Sequence, residues 1–212
     1  MGKTTTRDRR RNNRKYAQMH VSIWDDDDYL ERSSGAQWLY KLLFSHPSLT
    51  WCGAMDWRPG KLAAKASDMT KELIIRHAAE LEAHHYIIID QDTEEVIVRS
   101  FVRNDGLLKS PNMGVAVSSA IRDVGSNILR GVIVNELHRL MEDQIEDVEG
   151  DTEKIWGAWK HLEPIMSRER IVPNEVPWLA PEHAPSAPME HHTEAPDTAR
   201  TWGSTTDDEP PF

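Results

Sequence analysis

The stretch "TKELIIRHAAELEAHHYIIIDQDTEEVIVRSF", residues 70–101, decides the fold. In its first half Leu73, Ile74, Ala78 and Leu81 recur at helical spacing, which predicts an amphipathic helix. In its second half "YIIID" and "EVIVRSF" are two β-branched runs joined through the polar turn "QDTEE", the pattern of a hairpin.

Upstream, Pro59 opens a further helix over "GKLAAKAS" at the position proline favours, and "SDMT" separates it from the first. Before it, "TWCGAMDW" is a brief strand or an extended connection. Ser33 or Ser34 can cap a helix over "GAQWLYKLLFSH", with Trp38, Leu39, Leu42 and Leu43 on one face and Pro47 stopping it. "AQMHVSIW" (Ala17–Trp24) alternates enough to predict a short strand, ended by the acidic run Asp25–Asp28. Strand, helix, short strand, helix, tight turn, helix, hairpin is the order of a winged helix-turn-helix. The helix-turn-helix falls on residues 59–85 and the wing on 86–102, within a domain spanning 16–103. Each short helix buries one apolar stripe, and the hairpin covers the face that three helices leave open.

Beyond the wing, "VRNDGLLKSPNM" reads as a loop. Helices follow at about Gly114–Asp123 and Ser126–Glu142, with Ile128, Val132, Ile133, Leu137 and Leu140 as a stripe. This helical extension, residues 104–142, is expected to pack back on the winged helix, since neither helix would persist alone. Residues 143–171 read as an acidic linker holding a short amphipathic helix, capped by Asp151 and carrying Ile155, Trp156, Trp159, Leu162 and Met166. From Val172 onward six prolines precede the final pair without apolar period, so 172–212 is expected to be a disordered acidic tail. The expected fold class is α+β: a winged helix-turn-helix, C-terminal helices and a disordered tail.

The composition agrees with a partly unstructured chain. Among 212 residues the apolar fraction is 39% and the mean hydropathy −0.61. The net charge of −10 conceals a polarity: +6 over residues 1–15, −4 over 16–140 and −12 over 141–212. A disordered basic arm and an acidic tail flank a near-neutral centre. One cysteine, Cys52, excludes an internal disulfide framework and suits a reducing compartment. No apolar signal core follows the basic N-terminus, and no run of eighteen apolar residues occurs. A soluble, cytoplasmic protein is the expectation. "GKTT" near the start lacks the upstream glycine and the preceding strand of a phosphate-binding loop.

From "YAQMHVSIWDDDDY" through "GKLAAKASDMT" and "AAELEAHHYIIIDQDTEEVIVRSFVRNDGLLKSPN", roughly residues 16–140, the chain resembles a family of winged-helix proteins encoded by actinobacteria and their phages. Its members are described as helix-turn-helix DNA-binding or phage replication-initiation-like proteins. The resemblance implies DNA binding and supplies no catalytic residue. The final "DDEPPF" is similar to the C-terminal tip of actinobacterial single-stranded-DNA-binding proteins, which recruits replication and repair enzymes. That likeness implies that Phe212 enters an apolar pocket, its carboxylate meets a basic side chain, and Asp207, Asp208 and Glu209 face a basic ridge. Pro210 and Pro211 stiffen the approach toward polyproline II and reduce the entropy lost on docking. A featureless acidic terminus is the blander alternative.

On the helix-turn-helix, Lys71, Arg76 and His77 can face DNA while Lys61 and Lys65 touch its backbone. Glu72, Glu80 and Glu82 lie on the same helix, and Asp90, Asp92, Glu94 and Glu95 crowd the wing turn. These acids argue against a wing in the minor groove and leave a protein-contacting winged helix as the alternative. The arm favours DNA: Lys3, Arg7, Arg9, Arg10, Arg11, Arg14 and Lys15 can follow phosphates or enter a minor groove. A solubility tail, or an intramolecular partner for the acidic tail, would also explain it. His84–His85 and His191–His192 lack metal-ligand spacing, and Cys52 lacks a catalytic partner. No constellation for an enzyme, metal or cofactor is present in the pattern. The expected function is that of a DNA-binding replication initiator recruiting host proteins through its tip. The alternatives are a transcriptional regulator and a mimic that occupies the host's tip-binding pockets.

Overall fold

The computed structural model describes Arg14 and residues 16–104, 108, 111–146 and 157–175. Side-chain hydroxyls and carboxylates start the first helices. Asp26 accepts the Tyr29 amide (3.2 Å) at the head of α1 (Asp27–Leu30), and Ser33 accepts the Ala36 amide (3.2 Å) at the head of α2 (Ser34–Ser45). Strand β1 (Ala54–Asp56) leads to α3 (Pro59–Ala63), which has its proline in the first turn. Thr70 then caps α4 (Lys71–Ala83) through the Leu73 amide (3.2 Å). The hairpin strands β2 (Ile87–Asp90) and β3 (Glu95–Val98) follow, then α5 (Phe101–Asn104), α6 (Pro111–Arg122), α7 (Asn127–Glu146) and α8 (Glu163–Met166).

The sheet is antiparallel in the order β1-β3-β2, with Ile97 between Ala54 and Ile88. Ile87, Ile88 and Ile89 are all buried, as are Val96, Ile97 and Val98. Successive strand residues point to opposite faces, so unbroken burial requires cover on both. The helices that pack on the sheet are α2 and α4, from before the hairpin, and α7, from after it. The architecture is therefore α+β, with the small sheet enclosed by helices. Gly53 permits the turn into β1: its φ is +80°, and a Cβ there would meet Phe101 Cβ at 2.7 Å and the Val98 carbonyl at 2.9 Å.

Several expectations need correction. Ala17–Trp24 forms no strand; Val21–Asp25 is a 3-10 helix, and the strands nearest in sequence already pair among themselves. Alternation makes a strand only where the segment pairs with a sheet edge; this one pairs with neither β1 nor β2, and Val21, at 81% exposure, faces solvent. "EVIVRSF" leaves the sheet after Val98, and Phe101–Asn104 is helical where a wing end and loop were expected. Helix α6 begins at Pro111, and α7 runs to Glu146, into the segment read as a linker.

The later part of that segment is docked, not free. Residues 157–159 are helical, and Ala158, Trp159, Leu162 and Ile165 belong to the same buried cluster as the hairpin and α4. Trp159 Nε1 donates to Gln144 Oε1 (3.0 Å), and the Ile171 amide donates to the Gly131 carbonyl (3.1 Å). Gly114 on α6 lies so close to the Ala158 carbonyl that a Cβ would overlap it. The expected helix start at Asp151, together with Ile155 and Trp156, falls outside the described residues. No helix among the described residues is long and apolar enough to cross a membrane.

Candidate nucleic-acid interface

Helices α3 and α4 pack on each other across the turn 64–70. Helix α4 buries Ile74, His77, Ala78 and Leu81, a complete i, i+3, i+4, i+7 stripe. Its other side presents Lys71, Glu72, Ile75 and Arg76 to solvent, and Lys61 and Lys65 are exposed on and after α3. Four of the expected DNA-facing cations thus lie at the surface of this helix pair.

His77 does not join them. It is 8% exposed, its Nδ1 is 3.4 Å from Ser33 Oγ, and its ring fills the space where Gly35 lacks a side chain. Burial, with the Arg76 charge beside it, lowers its pKa, so the imidazole is neutral at pH 7. His77 spaces α4 from α2 and cannot reach DNA.

The acids of α4 divide in the same way. Glu80 turns to α2: its Oε1 accepts the Ser33 amide and its Oε2 the Ser33 hydroxyl, both at 2.6 Å. Glu82 turns to the hairpin and accepts the Ile89 amide (2.9 Å); burial pushes its pKa up to about 7. On β3, Glu95 caps the start of α7, accepting the Gly125 (3.0 Å) and Ser126 (2.8 Å) amides. Asp90 holds its own turn through the Asp92 (2.9 Å) and Thr93 (3.3 Å) amides, while Glu94 takes φ +52°. Asp92 and Glu94 stay exposed at the hairpin tip, and Glu72 stays exposed on α4. Hydrogen bonding to its own amide, then to Thr70, lowers the Glu72 pKa and keeps it ionised.

Arg14, expected in the arm, is seated on the core instead. Its Nη2 donates to the Phe44 carbonyl (3.1 Å), and its guanidinium lies 4.7 Å from the Phe101 ring centroid. An aromatic face and a helix-end carbonyl hold it, so Arg14 is not part of a free arm. Arg7, Arg9, Arg10, Arg11 and Lys15 fall outside the described residues, as do the tip residues Asp207, Asp208, Glu209, Pro210, Pro211 and Phe212.

Two arrangements resemble catalytic groupings and behave otherwise. Ser33, His77 and Glu80 converge, yet the carboxylate binds the serine directly and orients no imidazole, which makes the group a helix cap. Cys52 is buried and its thiol is pushed up to about 11, so it is a core residue rather than a nucleophile. Among the described residues no three His, Cys, Asp or Glu side chains converge as a metal site requires. A polar cavity at the far end of α4, lined in part by Arg99 and Arg103, carried no sequence signal because its walls come from segments distant in the chain. Comparison of the chain with known protein families, curated proteins and solved structures found no match.

Proposed function

We propose that this chain is a non-enzymatic, duplex-DNA-binding protein of the replication-initiating or replisome-organising kind, built on a winged helix-turn-helix over residues 34–98. The element order helix, strand, helix, helix, strand, strand and the sheet order β1-β3-β2 support that topology. The observation that carries the proposal is the division of charge on α3 and α4. Lys61, Lys65, Lys71 and Arg76 face solvent, while Glu80 and Glu82 are spent on Ser33 and Ile89 inside the fold. The surface offered to phosphate is thus more positive than the residue list suggests.

In this scheme α4 approaches the major groove, and Lys61 and Lys65 hold the backbone. The basic arm adds sequence-independent affinity through counterion release. The exposed Asp92 and Glu94 keep the hairpin tip away from phosphate. The segment Asp207–Phe212 then recruits host proteins that read the single-stranded-DNA-binding tip.

Fluorescence anisotropy with a labelled duplex tests DNA binding. Replacing Lys61, Lys65, Lys71 and Arg76 together by alanine should weaken binding by roughly tenfold or more at moderate salt, with the thermal melt unchanged. Equal affinity would overturn the assignment of this face. Recovery of host replication proteins by the intact chain, but not by one lacking Asp207–Phe212, tests recruitment. Equal recovery by both would remove the tip from the scheme.

A further inference from the structure

A cavity of about 400 Å³ opens between residues 19–28, the α4–β2 turn and the β3–α5 junction. This lies in the range of small-ligand sites. The β3–α5 junction supplies Arg99, Ser100 and Arg103 to its lining. Both arginines are bonded to carboxylates of α7. Arg99 Nη1 donates to Glu136 Oε1 (3.3 Å), and Arg103 Nη2 donates to Asp143 Oδ2 (2.7 Å). The Glu136 side chain is only 2% exposed, and Arg99 Nε is fixed in addition by the His85 carbonyl (2.7 Å). Among the described residues, Arg99 Nη2 and Arg103 Nη1 make no hydrogen bond, and neither is a buried orphan. Two guanidiniums are therefore oriented by their partners, each with donors that no described residue uses. This is how a protein prepares to hold an oxyanion without first ordering a long side chain.

The rest of the lining is of another kind. Tyr40 and Tyr86 meet edge to face, with centroids 5.5 Å apart, and Phe44 extends this aromatic wall. Asp26 and Asp28 contribute carboxylates to the same lining. Asp28 is paired with His84 (2.8 Å) and Arg32 (3.5 Å), and Asp26 accepts from the Tyr86 hydroxyl (3.4 Å). Such carboxylates keep lone pairs for hydroxyl or amine donors. Paired arginines, aromatic surface and carboxylate acceptors in one cavity together match a ligand with a phosphate, a flat body and several N–H or O–H donors.

The geometry points to this cavity as a binding site for a nucleoside monophosphate, with the phosphate on Arg99 and Arg103. The chemistry is shared by a free nucleotide and by the 5′-phosphorylated end of a single strand. The site does not rest on the DNA-binding face. His84 and Lys71 stand at opposite ends of α4, about 20 Å apart at a rise of ~1.5 Å per residue.

Calorimetric titration of the full chain tests the site, using nucleoside 5′-monophosphates, the matching nucleosides, inorganic phosphate, and one oligonucleotide with and without its 5′-phosphate. A monophosphate or the phosphorylated strand should bind, and the form lacking phosphate should bind roughly tenfold or more weakly. Arg103→Gln should weaken binding by a similar factor, and Lys61→Ala/Lys65→Ala should leave it unchanged. Ser100→Ala serves in its place if Arg103→Gln lowers the melting temperature. Binding of the strand alone assigns the ligand to a strand end, and binding of the free nucleotide assigns it to a small molecule. The site is overturned if no phosphorylated compound binds, if inorganic phosphate binds as tightly as the nucleotide, or if neither Arg103→Gln nor Ser100→Ala weakens binding.

Discussion

Glu80 and Ser33, 47 residues apart, are joined by two hydrogen bonds of 2.6 Å, one donated by the serine amide and one by its hydroxyl. One contact thereby satisfies an N-terminal donor of α2, fixes the crossing of α2 on α4, and withdraws a negative charge from the α4 surface. Glu80→Ala should destabilise the protein by about 1–3 kcal/mol, because an amide and a hydroxyl lose a charged partner at once. Urea unfolding measures this. An unchanged midpoint would mean that water replaces the carboxylate without cost.

Glu82 should make stability depend on pH in a direction opposite to that of most carboxylates. Desolvation raises its folded pKa from 4.5 to about 7, and the Ile89 amide offsets only part of that rise. Between those values the folded state holds the proton and the unfolded state does not, so stability falls as pH rises through this window. Its contribution is full below about pH 4.5 and is lost above about pH 7. Glu82→Gln keeps an acceptor for Ile89 but cannot ionise, so it should flatten this slope and gain relative stability by pH 8, by up to about 3 kcal/mol. Denaturant midpoints of both proteins at pH 5, 6, 7 and 8 provide the check; parallel curves would refute a raised pKa.

The local code was legible where periodicity is long. The helix over 70–83, the hairpin around 86–98 and most of the stripe of α7 follow from spacing, with Leu129 buried in place of Ile128. His77 shows how a register error moves a residue across a helix. Taking Leu73, Ile74, Ala78 and Leu81 as the buried set leaves position 77 outside, whereas the observed stripe 74, 77, 78, 81 includes it. A histidine in that slot reads as polar until Gly35 on another helix makes room for its ring. The partners of Glu80, Glu82 and Glu95 were not legible at all. Each is a contact made after the chain has folded back, and an acid on a helix carries no mark of whether it faces water or a distant amide. The unbroken apolar runs of the hairpin did hold a signal, since burial on both faces calls for a second layer. Helix α7 is that layer.

Trp159 tests whether residues 157–166 belong to the core. The side chain is 2% exposed and bonded to Gln144, and the helical turn carrying it touches α6 at Gly114. Trp159→Ala should cost about 3–5 kcal/mol, the range for emptying a large aromatic site. Gly114→Ala should also destabilise, because the obstacle to its methyl group is a backbone carbonyl and not a side chain that can turn away. Differential scanning calorimetry should show one transition shifted downward in both variants. A separate low-temperature transition in either would mean that this segment folds apart from the sheet.

Salt dependence separates the roles of the exposed cations on α3 and α4. A lysine that neutralises a DNA phosphate contributes about −0.9 to the slope of log K against log salt. Lys61 and Lys65 are exposed on and just after the helix that precedes α4, where the DNA backbone would pass. Replacing both by alanine should make the slope shallower by roughly 2, with no change in which duplex is preferred. Arg76 lies on the solvent side of α4, opposite the buried stripe, where the proposed interface would set it against a base edge. Arg76→Ala should leave most of the slope intact while relaxing the preference at one base pair, a guanine, by about tenfold or more. Anisotropy titrations from 50 to 300 mM salt (roughly the window in which such contacts are measurable) on a selected duplex and its single-base variants supply both readings. If the lysine variant keeps the full slope, the backbone contacts lie elsewhere, and the basic arm carries the electrostatic affinity alone.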